Sequence, residues 1–131
     1  MLNNNVISWK TRKQPTPSLS STEAEYKSLC DLVKKIMWLK ILLKKVFNLQ
    51  IQEPTQIFED NQGAIDFAQN DMNAWNFVTK HMSLKFHFIR REIRIRKIQL
   101  YYIKSENMIA DFLTKQVGRT ALCKSLKTIF S

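Results

Sequence analysis

The chain has 131 residues, of which 44% are hydrophobic and 24% charged, globular proportions that exclude a disordered segment and provide for one real core. Lys and Arg number 21 against 11 Asp and Glu, so the net charge is +10 and a polyanionic partner is expected. Two distant cysteines, Cys30 and Cys123, exclude a disulfide framework or a zinc site, and no apolar run reaches the roughly 18 residues of a membrane span.

The opening MLNNNVISWK has no apolar signal segment, and reduced cysteines suit the interior of a cell, so an intracellular protein without membrane contact is expected. Val6 to Arg12 is a β-prone run that stops at Pro15 and Pro17. Ser18 to Thr22 offer helix caps. A long helix is predicted from there to Phe47, with Leu29, Leu32, Ile36, Leu39, Leu43 and Val46 on its buried stripe and Lys34, Lys35, Lys40, Lys44 and Lys45 mostly in solvent. After Pro54, residues 55–60 form a second strand, Asn61-Gln62-Gly63 a turn, and 64–69 a short helix. Residues 70–79 read as a loop. Residues 80–97 form a helix with Met82, Phe86, Ile89 and Ile93 on one face, although the alternation within 90–96 leaves strand open there. A third strand covers 98–103, Asn107 caps a last helix to about Lys115, and 116–131 form a tail. The order β-α-β-α-α-β-α is that of a mixed α/β domain.

Three carboxylates stand out. Glu25 falls near the centre of the predicted apolar stripe, where burial costs several kcal/mol, of order 3–5, unless a cation meets it. The alternative is a partly exposed residue of the first turns, and Glu23 is the ordinary choice for a dipole-favoured acid. Asp60 ends an apolar strand before a turn, the place where ligands bind in α/β sheets, and it equally suits turn formation. Asp111 sits among Ile109, Ala110, Phe112 and Leu113, stabilised by the helix dipole or aimed at a cation. If the three converge, their oxygens suit magnesium, and a pair of such ions about 4 Å apart hydrolyses phosphodiesters in line.

Several stretches carry a resemblance. Ile7-Ser8-Trp9-Lys10 with Lys13-Gln14-Pro15, Leu19 through Tyr26, Trp38-Leu39, Glu59-Asp60-Asn61-Gln62, Thr79-Lys80-His81, Phe86 through Glu92 and Ala110 through Lys115 follow one another in the order of a known family. Together they resemble the ribonuclease H domain at the end of copia-type retrotransposon polyproteins, over residues 6–115. The resemblance implies a ribonuclease H-like mixed sheet flanked by helices, two magnesium ions held by four carboxylates, and cleavage of the RNA strand in RNA–DNA hybrids. It also implies that Glu25, Asp60 and Asp111 fill three of the four catalytic and metal positions. Glu25 is preferred to Glu23 because the pattern places the acid directly before a large inward side chain, here Tyr26. His81 lies in a motif without an assigned role.

In the family two further strands come first, and the first of them carries the remaining aspartate. Here no Asp or Glu precedes Glu23. The expectation is therefore a single truncated domain over 1–131, with its core in 6–115, lacking the first two strands and inactive alone for want of one metal ligand. An unpaired sheet edge should then invite association. The alternative function is a non-catalytic nucleic-acid-binding module that uses Lys80, Lys85, Arg90, Arg91 and Arg94, since phosphate contacts of this kind give salt-dependent binding with little sequence preference.

Overall fold

The computed structural model describes residues 6–11, 14, 18, 20–69, 80–113 and 118–130, and the side chains of 80–83, 112, 121, 124 and 128–130 are outside that description. The chain divides into two compact units, one Ser18–Tyr102 and the other Met1–Pro17 with Ile103–Ser131.

The first unit holds α1 (Ser21–Phe47), β1 (Thr55–Glu59), α2 (Gln62–Gln69), α3 (Lys80–Arg94) and β2 (Ile98–Tyr102). Helix α1 runs 27 residues because no glycine or proline interrupts it. The Ser20 hydroxyl accepts the Glu23 N–H at 3.1 Å to start the helix. Asn48, in the left-handed region at φ 52°, ends it, and the Leu49 N–H donates back to the Leu43 carbonyl.

The buried face of α1 is Tyr26, Leu29, Cys30 and Val33. The stripe read from the sequence is rotated from this, because Leu32 and Val46 are exposed. Leucine and valine recur on more than one side of α1, and contact with the sheet and helices selects the side that is covered. On the corrected wheel Glu25 lies about 90° from the buried centre, on the flank, and is half-buried.

Strands β1 and β2 are parallel, with Ile57 opposite Leu100 and Glu59 opposite Tyr102. Ile57, Glu59, Ile98 and Leu100 are buried, whereas Phe58 and Tyr101 are exposed and lie side by side, ring centroids 5.9 Å apart. Between sheet and helices lies a core of Tyr26, Val33, Ile57, Ala64, Phe86, Ile89 and their neighbours. Tyr26 packs on Phe86 at 4.3 Å, and Phe67 meets Phe86 edge-on. The Arg90 guanidinium donates twice to the Phe67 carbonyl, at 3.3 and 3.0 Å, which fastens α3 to α2. Further along the covered side of α1, Lys40 pairs with Glu53 and donates to the Lys97 carbonyl, so one of the expected solvent lysines is a tether.

The second unit holds two 3-10 turns, Ser105–Asn107 and Ile109–Leu113, and helix α4 (Arg119–Phe130). Two expectations are corrected here. Residues 6–11 form no strand, since a strand exists only through ladder hydrogen bonds and no other strand pairs with them among the described residues. The predicted helix from Asn107 is instead 3-10 in its described part, and Lys115 is outside the described residues. The expected tail contains α4, whose helical residues follow Gly118. The loop read at 70–79 lies outside the described residues. Helix is the form taken by 90–94, and the strand alternative there is excluded. Among the described residues no helix is long and apolar enough to cross a membrane.

Candidate metal centre

Strand alternation, a helix cap and one glycine bring acids together at the carboxyl end of β1. Ile57 faces the core, so Glu59, two residues on, faces the same way and is 7% exposed. Its Oε1 accepts the Asn61 N–H at 3.1 Å. Asn61 in turn caps α2, its Oδ1 accepting the Ala64 N–H at 3.1 Å. A Cβ on Gly63 would stand 3.2 Å from both the Thr22 side chain and Asn61 Oδ1, so glycine lets the start of α2 approach the first turn of α1 closely. Glu25, one turn beyond Thr22, thereby comes beside Asp60.

The outcome is a cluster in which Glu25, Glu59 and Asp60 each offer an oxygen, all within 4.8 Å of one another. Two full charges at that separation repel by about 3 kcal/mol at an effective dielectric of about 20. Burial first, and then the charges of Glu25 and Asp60, push the Glu59 carboxyl up to about 7, against the opposing pull of the Asn61 N–H. Three hard oxygen donors on one side of a turn can hold a metal ion, which would relieve the repulsion.

Each sequence-derived site residue has a definite place. Glu25 and Asp60 meet. Glu23 instead forms an ion pair with Lys27 at 2.8 Å, one turn along its own helix. Asp111 lies half-buried in the 3-10 turn Ile109–Leu113 of the other unit, its N–H donating to the Met108 carbonyl. The side chains of Lys80 and His81 are outside the described residues. Lys85 is half-buried, Arg90 is held by Phe67, and Arg91 and Arg94 are exposed on α3.

Glu59 is the member that sequence reasoning missed. The signal was present but ambiguous: Ile57 and Phe58 are both apolar, so period-two alternation allows either parity to face the core. Tyr26, which follows Glu25 in the chain, is buried in the core against Phe86. Among the described residues its hydroxyl is buried without a hydrogen-bond partner, and burial raises its ionisation well above the ordinary phenol range.

Comparison with known proteins bears on this arrangement. The chain is 32% identical over 120 residues to a retrovirus-related Pol polyprotein from transposon RE2 of Arabidopsis thaliana, a match covering 92% of this chain and 8% of that protein. It is 32% identical over 120 residues to the corresponding polyprotein from transposon RE1 of the same plant, again with 92% and 8% covered. With the polyprotein from transposon TNT 1-94 of Nicotiana tabacum the identity is 35% over 123 residues, covering 92% and 9%. These homologues are retrovirus-related Pol polyproteins of transposons. The chain spans less than a tenth of the length of these curated relatives, with 8% and 9% covered. No protein-family model and no solved structure matches it.

Proposed function

We propose that these residues are a ribonuclease H-like domain derived from a retrotransposon Pol protein, with Glu25, Asp60 and the newly found Glu59 as its magnesium-binding edge. The grouping of Glu25 and Asp60, far apart in sequence, at the carboxyl end of a strand carries this reading. The donor set fits the ion, since all three ligands are hard carboxylate oxygens and one is buried. Bound there, divalent ions would supply water activation and leaving-oxygen stabilisation for phosphodiester hydrolysis. The protein's own share is positional. Asn61 orients Glu59, Gly63 sets the approach of α1 to α2, and Lys27 keeps Glu23 engaged on its own helix.

Asp111 is proposed as a further ligand on its sequence motif. Within these 131 residues no acid precedes Glu23, so none of them supplies the first-strand aspartate that the resemblance implies. The single-domain reading over 1–131 belongs to the same proposal, as does weak metal binding and catalytic silence of this segment by itself. Non-catalytic binding of nucleic acid through α3 is the second reading, favoured by the exposed Arg91 and Arg94.

Magnesium titration followed by thermal melting tests the metal reading. Wild-type chain should gain stability with the ion, and Glu25→Gln and Asp60→Asn should each lose most of that gain. Equal responses in the wild type and Asp60→Asn would refute it. Hybrid cleavage should be absent from the 131 residues and restored when the preceding Pol segment is supplied. Magnesium-dependent cleavage by the 131 residues alone would refute the expected silence.

A further inference from the structure

A second polar site lies at the other end of β1. Pro54 and Ile98, which precede and begin the two strands, line a cleft of about 670 Å³ together with Ile93, Arg90, Arg94 and Arg96. The carboxylate cluster closes the carboxyl end of β1, so the two sites are separated by the length of a five-residue strand, about 15 Å. Among the described residues no carboxylate lines this cleft, and no ion pair engages Arg94 or Arg96. Three arginines line one space, and like charges gathered there repel one another unless an anion stands between them.

Two features distinguish these arginines from ordinary surface charge. Arg90 is fixed in place by two hydrogen bonds to the Phe67 carbonyl and by the Phe86 ring, 5.7 Å from its guanidinium carbon. Arg96 occupies the left-handed position that ends α3, at φ 55°. Its N–H donates to the Ile93 carbonyl at 2.9 Å and the Lys97 N–H to the Glu92 carbonyl at 3.0 Å, the pattern in which glycine is the favoured residue. An arginine therefore stands where the backbone favours glycine, and it is one of the residues that line the cleft. Non-glycine residues in such conformations concentrate at binding sites.

We propose that this cleft binds the phosphate of a nucleotide unit, with Arg94 and Arg96 on its oxygens and Pro54, Ile93 and Ile98 beneath the sugar or base. Planar guanidiniums are the preferred partners of phosphate, and the apolar floor suits the rest of a nucleotide. The class of ligand rests on the nucleic-acid reading above, whereas no residue of the cleft belongs to the metal cluster.

The decisive variant is Arg96→Gly, because glycine suits the backbone and leaves folding intact. Fluorescence anisotropy with a labelled RNA–DNA hybrid, in EDTA so that metal plays no part, compares wild type, R96G, R94Q and the control K44Q, which removes one charge from an exposed residue of α1. R96G should melt at or above the wild-type temperature and bind about five- to tenfold more weakly, with the salt slope lowered by about 1. R94Q should behave alike in binding, and K44Q should match wild type. Competition by adenosine monophosphate and by inorganic phosphate identifies the source. Loss on R96G of hybrid binding assigns the site to a strand, and loss of monophosphate binding alone assigns it to a free nucleotide. Wild-type affinity of R96G and R94Q for all three probes, or an equal loss in K44Q, would overturn the proposal. Failure of the magnesium titration would leave these readouts untouched.

Discussion

Replacing Glu59 by glutamine should abolish most of the pH dependence of stability above pH 5. In the metal-free folded chain the Glu59 carboxyl titrates at about 7, against 4.5 for the unaffected group. Between those values the folded state binds the proton and the unfolded state does not. Stability therefore falls as pH rises through this window, and the cost is complete above about 7. The difference is worth about 3 kcal/mol, a large part of the roughly 5–15 kcal/mol that holds a typical domain folded. Glutamine keeps the shape and the acceptor for the Asn61 N–H, 3.1 Å away in the wild type, while removing the charge. Urea unfolding in EDTA at pH 5 and pH 8 measures it. Wild type should lose about 2.5 kcal/mol between the two, and E59Q should lose far less and be the more stable protein at pH 8. Parallel pH profiles for the two proteins would refute the assignment of the shift to Glu59. The same linkage makes cation binding at the cluster strengthen as pH rises through 7, because the ion needs the carboxylate that the proton otherwise neutralises.

Gly63→Val should destabilise by about 1–3 kcal/mol in thermal or urea unfolding, because its branched side chain meets Thr22 and Asn61 at a position where even a Cβ stands 3.2 Å away. It should also weaken the magnesium response, since α1 must retreat and carry Glu25 from Asp60; an unchanged response would show that the approach does not set the cluster. Tyr26→Phe should leave stability equal or raise it by about 1 kcal/mol, as it removes a buried hydroxyl with no partner among the described residues while keeping the ring on Phe86. A clear loss in urea unfolding would show that the hydroxyl is bonded.

Much of the secondary structure was legible in local signals. The long helix follows from an unbroken run between Ser20 and Asn48, and the strands at 55 and 98 follow from short β-prone segments next to turns. Other features were not. The run 6–11 has strand-forming residues, but propensity cannot form a ladder without a neighbour. The last helix was displaced: Asn107 looked like a cap, whereas the chain makes 3-10 turns there and takes up α-helix only from Arg119. The buried face of α1 was rotated because its apolar residues cover more than one side.

Residue order alone determined that Glu25 and Asp60 deserved attention, through the motifs around them, and that the chain carries a large positive excess. Tertiary structure decided that Glu23 turns to Lys27, that Glu59 points into the core beside the other two acids, and that Arg96 takes a glycine's conformation at the rim of a cleft. The reason is physical. Local spacing specifies helix or strand, but which side of an element is covered, and hence which charges share one space, depends on what the rest of the chain packs against it.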